Sequence, residues 1–516
     1  MITLGNFELC PYDLRKIALG QEKVTVCENA FAYIHEIYAL INMQAGSSKA
    51  IYGLNTGFGA LAEQKISSDQ QAQLQLNIIL SHAVGVGEPL PIITARVLMI
   101  LRLNTLLKGY SGASPELISI LCELINQNCA PFVPCKGSVG ASGDLAPLAH
   151  MGLLLIGVGK AYYKNELCDA SKILDKLSIK KLALGLRDGL ALINGTQAMT
   201  ASGLIGLFEC DHVANLADSN AATSLDALSG HVAPFDERIQ AIKPHPGQII
   251  TAAHVRKLIE GREVHDHVVN PLTQDPYSLR CVPQVHGASR DVITHAWEVI
   301  IREINGVSDN PLIFTTSNPQ DLSILSGGNF HGQSLALVLD YLAMAMAELA
   351  NIAERRIELL LNPRSSNGLP AFLATQSGLN SGYMMLHVTA SALVSENKIL
   401  CHPASVDSIP TSANREDHVS MGMTAANKFS QVLTNTKTVL AIELLVAHQA
   451  LDFRPKKYAG FGVSQIHETF RTAVAFRDRD GLYIEDLAQA LLWIDRTETA
   501  ILFKKLFGSK NNPPLG

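Results

Sequence analysis

Between positions 332 and 362 the chain carries an apolar seam suited to a long helix. Leu335, Val338, Leu342, Ala345, Leu349 and Ile352 recur in alternating steps of three and four. That is the spacing of a bundle or coiled-coil interface, and about thirty helical residues reach about 45 Å. Asn362-Pro363 ends the run. Helical spacing is also expected at 13–19, 30–43, 68–82, 92–108, 115–127, 145–158, 198–229, 286–304, 424–452 and 485–506. Ser68 is a natural N-cap, and Gly109 a natural stop for 92–108. Strand signals are sparse: Val24-Thr25-Val26, and small elements within 161–184. The stretch 231–247 holds three prolines and reads as a loop-rich break. The expected fold is mostly α, with a globular N-terminal part over 1–200 and a bundle of long helices with C-terminal helices over 201–516.

Composition narrows the function classes. The chain is 47% hydrophobic and 17% charged, so it buries much of its surface in its own core or against copies of itself. A net charge of −6 over 516 residues, with no basic run, argues against a nucleic-acid partner. Nine cysteines, with no CxxC pair and no secretory signal, imply a reduced, cytoplasmic protein. The apolar stretch 335–353 is interrupted by Asp340 and Glu348, so no membrane span is expected.

The chemically informative stretch is 137–148, where Gly137, Gly140 and Gly143 recur at spacing three before a helix start. Asp144 is placed to cap that helix, with Pro147 in its first turn. Within it, Ala141-Ser142-Gly143 offers two readings. The plain one is a Gly-Ser-Asp turn. The other is a self-made electrophile: the Gly143 amide folds back onto the Ala141 carbonyl, unhindered by any Cβ, and Ser142 loses water. Gly140-Ala141-Ser142-Gly143-Asp144 narrowly misses the nucleophile elbow of hydrolases and lacks its strand-helix context. Gly157-Val158-Gly159-Lys160 is not a phosphate-binding loop, and no βαβ unit surrounds Gly57 or Gly85. His265-Asp266-His267 lacks a third ligand at metal-site spacing, so no metal is expected. Asp275-Pro276 marks another helix start, which puts Tyr277 and Arg280 on one face. Arg280 has the fork that fits a carboxylate. Ser412 to Asp417 reads as a capped helix with acids in its first turn.

Taken together these segments resemble the aromatic amino acid ammonia-lyase family, in the same order over roughly 50–430. They are Tyr52-Gly-Leu-Asn-Thr-Gly-Phe-Gly59, Leu80-Ser81-His82, Gly140 to Leu148, Asn194-Gly195-Thr196, Gln274 to Arg280, Gly327-Gly328-Asn329-Phe330-His331 and Ser412 to His418. The resemblance implies an aspartase-like helical superfamily fold and a homotetramer whose active sites are shared between subunits. It implies that Ala141-Ser142-Gly143 cyclises autocatalytically into methylidene-imidazolone (MIO). Ser142 then becomes 2,3-didehydroalanine, Ala141 and Gly143 are cross-linked in a 5-imidazolinone, and no external cofactor is needed. Tyr52 would take the β-proton and Arg280 hold the substrate carboxylate. Asn194, Gln274 and Tyr277 would orient substrate and electrophile, and Phe330 would wall the pocket.

Two positions bear on substrate. Ser81-His82 stands where phenylalanine and tyrosine lyases carry Phe-Leu or His-Leu, and Glu416 where phenylalanine lyases carry Gln. A histidine with a carboxylate suits an imidazole ring, whereas a phenyl ring would leave both unpaired. Within the family the resemblance is strongest to the histidine-specific branch, which implies conversion of L-histidine to trans-urocanate and ammonia, the first step of histidine degradation. A tyrosine or phenylalanine lyase, or an aminomutase with the same electrophile, is the near alternative. A serine hydrolase using Ser142 and a catalytically silent helical scaffold are the distant ones. Arg415, where the family more often has Gln, adds a cation that could compete for Glu416.

Overall fold

The computed structural model describes residues 1–45, 56–57, 61, 63–64, 66–263, 273–318 and 321–508. Helices dominate these residues, and the strands form four small sheets among them. Contacts divide the chain into two compact units. The first holds 1–205, 298–340 and 403–427; the second holds 206–297, 341–402 and 428 onward. Against an expected boundary at 200/201, the first unit also takes in two later segments.

The first unit is built on Ile92–Leu106, in which every residue from Thr94 to Leu106 is buried. A helix surrounded on all sides must dispose of its polar groups, and two arginines do so by serving backbone carbonyls. Arg96 donates to Ala18 O (2.6 Å) and Ile17 O (3.0 Å), and Arg102 donates to Ala191 O and Asn194 O. Gly109, at φ +82°, turns the chain just beyond the helix, as expected. Gln71–His82, Leu145–Leu155 and Asp188–Ile193 pack against one another. The expected strand Val24–Val26 forms and pairs in parallel with Ile2–Leu4. A hairpin of Leu312–Thr315 with Leu322–Leu325 was not anticipated.

The second unit is helical throughout its described residues, apart from loops and turns. Four long helices, Gln197–Ala227, Val282–Asn305, Gln333–Leu361 and Gly422–Asp452, each have one end in the first unit. Buried charges in the second unit are matched rather than isolated. Asp218 takes Arg290 Nη2 at 2.6 Å and faces His254 Nδ1 and His286 Nδ1, each at 2.8 Å. Burial alone would raise the Asp218 carboxyl, but these partners hold it far below the usual carboxylate range. Arg356 pairs with Glu443 nearby.

Two expectations change, and a third keeps its conclusion but not its reason. The 485–506 stretch is two helices, Tyr483–Ile494 and Thr497–Phe507, because the chain is extended at Arg496 (φ −68°, ψ 143°) and turns back to pack Phe503 on Trp493. The 231–247 break contains the short turns Ala233–Phe235 and Glu237–Ala241, and Pro246 opens a helix to Leu258 that sequence reading missed. Gln333–Leu361 is long and apolar enough by composition to cross a membrane, despite Asp340 and Glu348. Its most apolar window is 67% buried within the protein, as befits a core helix.

Candidate active site

The stretch around Ser142 is held from two sides. On one, Met421 N donates to Val139 O and Ser420 Oγ to Gly140 O, both at 2.9 Å. On the other, Gly143 forms a parallel bridge with Gly195, and Asp144 N donates to Gly195 O at 2.7 Å. Gly143 sits at φ +73°, and a Cβ there would lie 2.1 Å from Gly195 O. Only glycine fits, on both conformational and steric grounds.

Asp144 does not cap as expected. Its own helix, Leu145–Leu155, receives no side-chain hydrogen bond from it. Instead Oδ2 accepts from Ala198 N and Met199 N, each at 2.9 Å, and so caps Gln197–Ala227. Those amides are orphan donors of a much longer helix, at its positive end. Burial pushes the Asp144 carboxyl up to about 6, while the Met199, Ala198 and Ser138 donors oppose the rise.

Asn194, at the end of Asp188–Ile193, is buried and clamped. Its Nδ2 donates to Asp309 Oδ1 (3.0 Å) and Asn310 O (2.7 Å), and its carbonyl accepts from Arg102 Nη1 (2.9 Å). Arg102 and Asp309 also pair directly at 3.3 Å, both fully buried. No local pattern in the sequence marks this clamp, since its members lie up to 207 positions apart.

The expected helix at Ser412 to Asp417 is absent. Ser412, Ala413 and Asn414 take φ +52°, +52° and +65°, left-handed values that non-glycine residues rarely adopt. The turn is closed by an antiparallel bridge between Thr411 and Glu416, which competes out the helix. It points Glu416 toward Ser142, whose Oγ donates to Glu416 Oε1 at 2.8 Å. Thr411 Oγ1 donates to Oε2 at 2.6 Å. Arg415 also lines the cavity described below, and its guanidinium lies 3.7 Å from the exposed Glu63.

These pieces converge on a cavity of about 750 Å³ in the first unit. Ala141, Ser142, His82, Asn194, Phe330 and Glu416 all contribute to its wall. Burial pushes the His82 imidazole below its ordinary value, with Ile78 O and the Glu416 charge opposing. The site therefore offers an imidazole whose burial favours its neutral form and a carboxyl group in one space of mixed polar and apolar walls.

Gln274, Tyr277 and Arg280 lie in the second unit and are not part of that wall. Tyr277–Arg280 is a single helical turn with the Arg280 guanidinium 4.5 Å over the Tyr277 ring. Gln274 and Arg280 line a separate recess of about 440 Å³, where Arg280 Nε is buried with no hydrogen-bond partner among the described residues. Asp275 does not cap this turn; its carboxylate accepts from His231 N at 2.6 Å. Tyr52, like His265-Asp266-His267, lies outside the described residues.

The model of the aromatic amino acid lyase family matches residues 9–472. The chain belongs to the aromatic amino acid lyase family. It is 48% identical over 487 residues to histidine ammonia-lyase of Stigmatella aurantiaca, covering 94% of each chain. It is 47% identical over 486 residues to histidine ammonia-lyase of Caldanaerobacter subterraneus, again covering 94% of each. Among solved structures, histidine ammonia-lyase from Trypanosoma cruzi superposes with a TM-score of 0.89 at 37% identity, over 99% of this chain and 96% of that one. Tyrosine aminomutase from Streptomyces globisporus gives 0.91 at 32%, over 98% of each. The lyase fold is thus helical, as the sequence implied.

Proposed function

We propose that this aromatic amino acid lyase deaminates L-histidine to trans-urocanate and ammonia. The observation that carries the reading is that His82 and Glu416 both line the cavity that Ser142 lines, with the Ser142 hydroxyl donating to Glu416. Both side chains are half-buried in the wall, and such a wall selects a ring that can hydrogen-bond, because an all-carbon ring sealing them from water would leave them unpaired, at a cost of up to about 1–3 kcal/mol each. The identities of 48% and 47% with named histidine ammonia-lyases support it.

The residues present fit a protein-derived MIO group. Gly143 has the glycine-only backbone and Ser142 faces the cavity, while Ala141 is buried against it. Ring formation joins Gly143 N to the Ala141 carbonyl carbon and releases two waters, one from the Ser142 hydroxyl. The group supplies an electrophile that takes the substrate amine and makes it a better leaving group. Asn194, its amide fixed by Asp309 and Asn310, orients the substrate and the modified segment. Tyr52 takes the β-proton. A free tyrosine titrates near about 10, so it needs cationic or hydrogen-bonding neighbours to serve as a base at neutral pH. Arg280 grips the carboxylate through its guanidinium fork. Gln274 and Tyr277 orient the substrate, and Phe330 closes the wall.

We assign Gln274, Tyr277 and Arg280 to sites shared between copies of the chain in a homotetramer, as the family resemblance implies. Exposed Leu337, Tyr341 and Met344, at helical spacing on Gln333–Leu361, support burial between copies. Nine free cysteines support a cytoplasmic setting.

Incubation with L-histidine should produce the ultraviolet band of urocanate, and Ser142→Ala should abolish it. The intact mass should fall short of the encoded mass by two waters. Cinnamate or coumarate from phenylalanine or tyrosine, with no urocanate from histidine, would overturn the substrate assignment in favour of the neighbouring specificities. A full encoded mass with an intact Ser142 hydroxyl would overturn the electrophile.

A further inference from the structure

Glu416 needs a fixed carboxylate if it is to recognise a ring nitrogen, and a glutamate side chain has three torsions to restrain. Its surroundings divide the two oxygens. Oε1 accepts from the Ser142 hydroxyl at 2.8 Å, a donor that disappears when Ser142 loses water. Oε2 accepts from Thr411 Oγ1 at 2.6 Å, a donor that stays. Thr411 is also tied to the Glu416 backbone in both directions, Thr411 N to Glu416 O at 3.0 Å and Glu416 N to Thr411 O at 3.4 Å. The intervening residues Ser412 to Asn414 are all left-handed, so the turn depends on that closure. Neither Glu416 oxygen takes its hydrogen bond from the neighbouring cation Arg415, whose ion-pair partner is Glu63 at 3.7 Å.

We propose that Thr411 is a specificity-determining positioning residue: its hydroxyl occupies Oε2 of Glu416 and leaves Oε1 as the one oxygen presented to the substrate ring. The inference rests on the reading that Glu416 receives an imidazole. Thr411 touches no reacting atom; it acts through the carboxylate. An all-carbon ring has nothing to offer Oε1 and is insensitive to how Glu416 is held.

Thr411→Val removes the hydroxyl and keeps the shape. The KM for L-histidine should rise about 10-fold with kcat within about threefold, as expected for a lost hydrogen bond to a charged group. Thr411→Ser should recover most of that loss. A second readout needs no turnover: in the Ser142→Ala background, calorimetry should find urocanate binding weakened about 10-fold by Thr411→Val and cinnamate binding changed less than about twofold. If circular dichroism shows that Thr411→Val has not folded, Thr411→Ala carries the same measurements. The inference is overturned if histidine KM and urocanate affinity both stay within about twofold of the parent. It is equally overturned if Thr411→Ser is as impaired as Thr411→Val, or if urocanate and cinnamate weaken in parallel, since both mark a merely structural turn. A parent chain inert toward histidine fails at the substrate reading instead, and that is seen before any Thr411 variant is made.

Discussion

Gly195 carries the sharpest structural demand in the first unit. A Cβ added there would lie 2.3 Å from Gln197 Oε1 and 2.6 Å from both Arg102 Nη1 and Ser308 O. Gln197 could swing, but it also donates to Thr105 and Ser308 within the core. Arg102 cannot swing: it is fully buried and tied to Ala191 O, Asn194 O and Asp309. In Gly195→Ala the backbone must therefore retreat, taking with it the carbonyl that accepts Asp144 N at 2.7 Å and the bridge to Gly143. Overpacking costs about 1–3 kcal/mol, and the loosened backbone bond about 1 more. For a unit of this size that is a fall in melting temperature of several degrees, about 2–4 °C per kcal/mol. The larger effect is chemical. With Gly143 no longer pinned, intact-mass spectrometry should find most of the chain at the full encoded mass instead of two waters lighter. Gly328→Ala, where a Cβ meets nothing within 4 Å, should keep the parent's mass and melting temperature. A Gly195→Ala protein that melts like the parent and has lost both waters would refute the argument that the 194–196 segment holds the ring-forming backbone in place.

Other outcomes follow from the same geometry. Glu416→Gln should lower kcat/KM for histidine about 10- to 100-fold, because a charged acceptor becomes a neutral one, while any residual activity on phenylalanine should not fall; urocanate and cinnamate absorbance report both. Asp144 contributes to the pH dependence of stability with a defined sign. Its carboxyl is raised to about 6 in the fold, above an ordinary value near about 3.9, so its contribution is fully present below about pH 4 and is lost as the pH rises through about 6. The difference is about 3 kcal/mol, and urea midpoints across that window should fall more steeply for the parent than for Asp144→Asn. Arg102→Met should cost about 3–5 kcal/mol, since it leaves Asp309 and two buried carbonyls without their cation, and chemical denaturation measures this directly.

Local pattern sufficed where local physics decides. The apolar seam from Leu335 to Ile352 predicted Gln333–Leu361 to within a residue at each end, because helical periodicity is written along the chain. Gly109 and Val24–Val26 were legible for the same reason. The motif segments also named His82, Ala141, Ser142, Asn194, Phe330 and Glu416, which the fold then gathered around one cavity.

What the chain alone did not disclose is which polar group answers which. Asp144 looked like the cap of the helix that follows it, yet it serves the amides of Ala198 and Met199, because a through-space partner offered two aligned orphan donors. Residues 412–417 looked helical, yet the Thr411–Glu416 bridge forces three left-handed residues and aims the carboxylate at Ser142. Arg102, Asp309 and Thr411 went unnoticed, since nothing in their sequence neighbours marks them. Periodicity and capping are properties of adjacent residues and can be read in one dimension. Hydrogen-bond satisfaction in a buried site is settled among residues hundreds of positions apart, and only the tertiary structure brings them within reach.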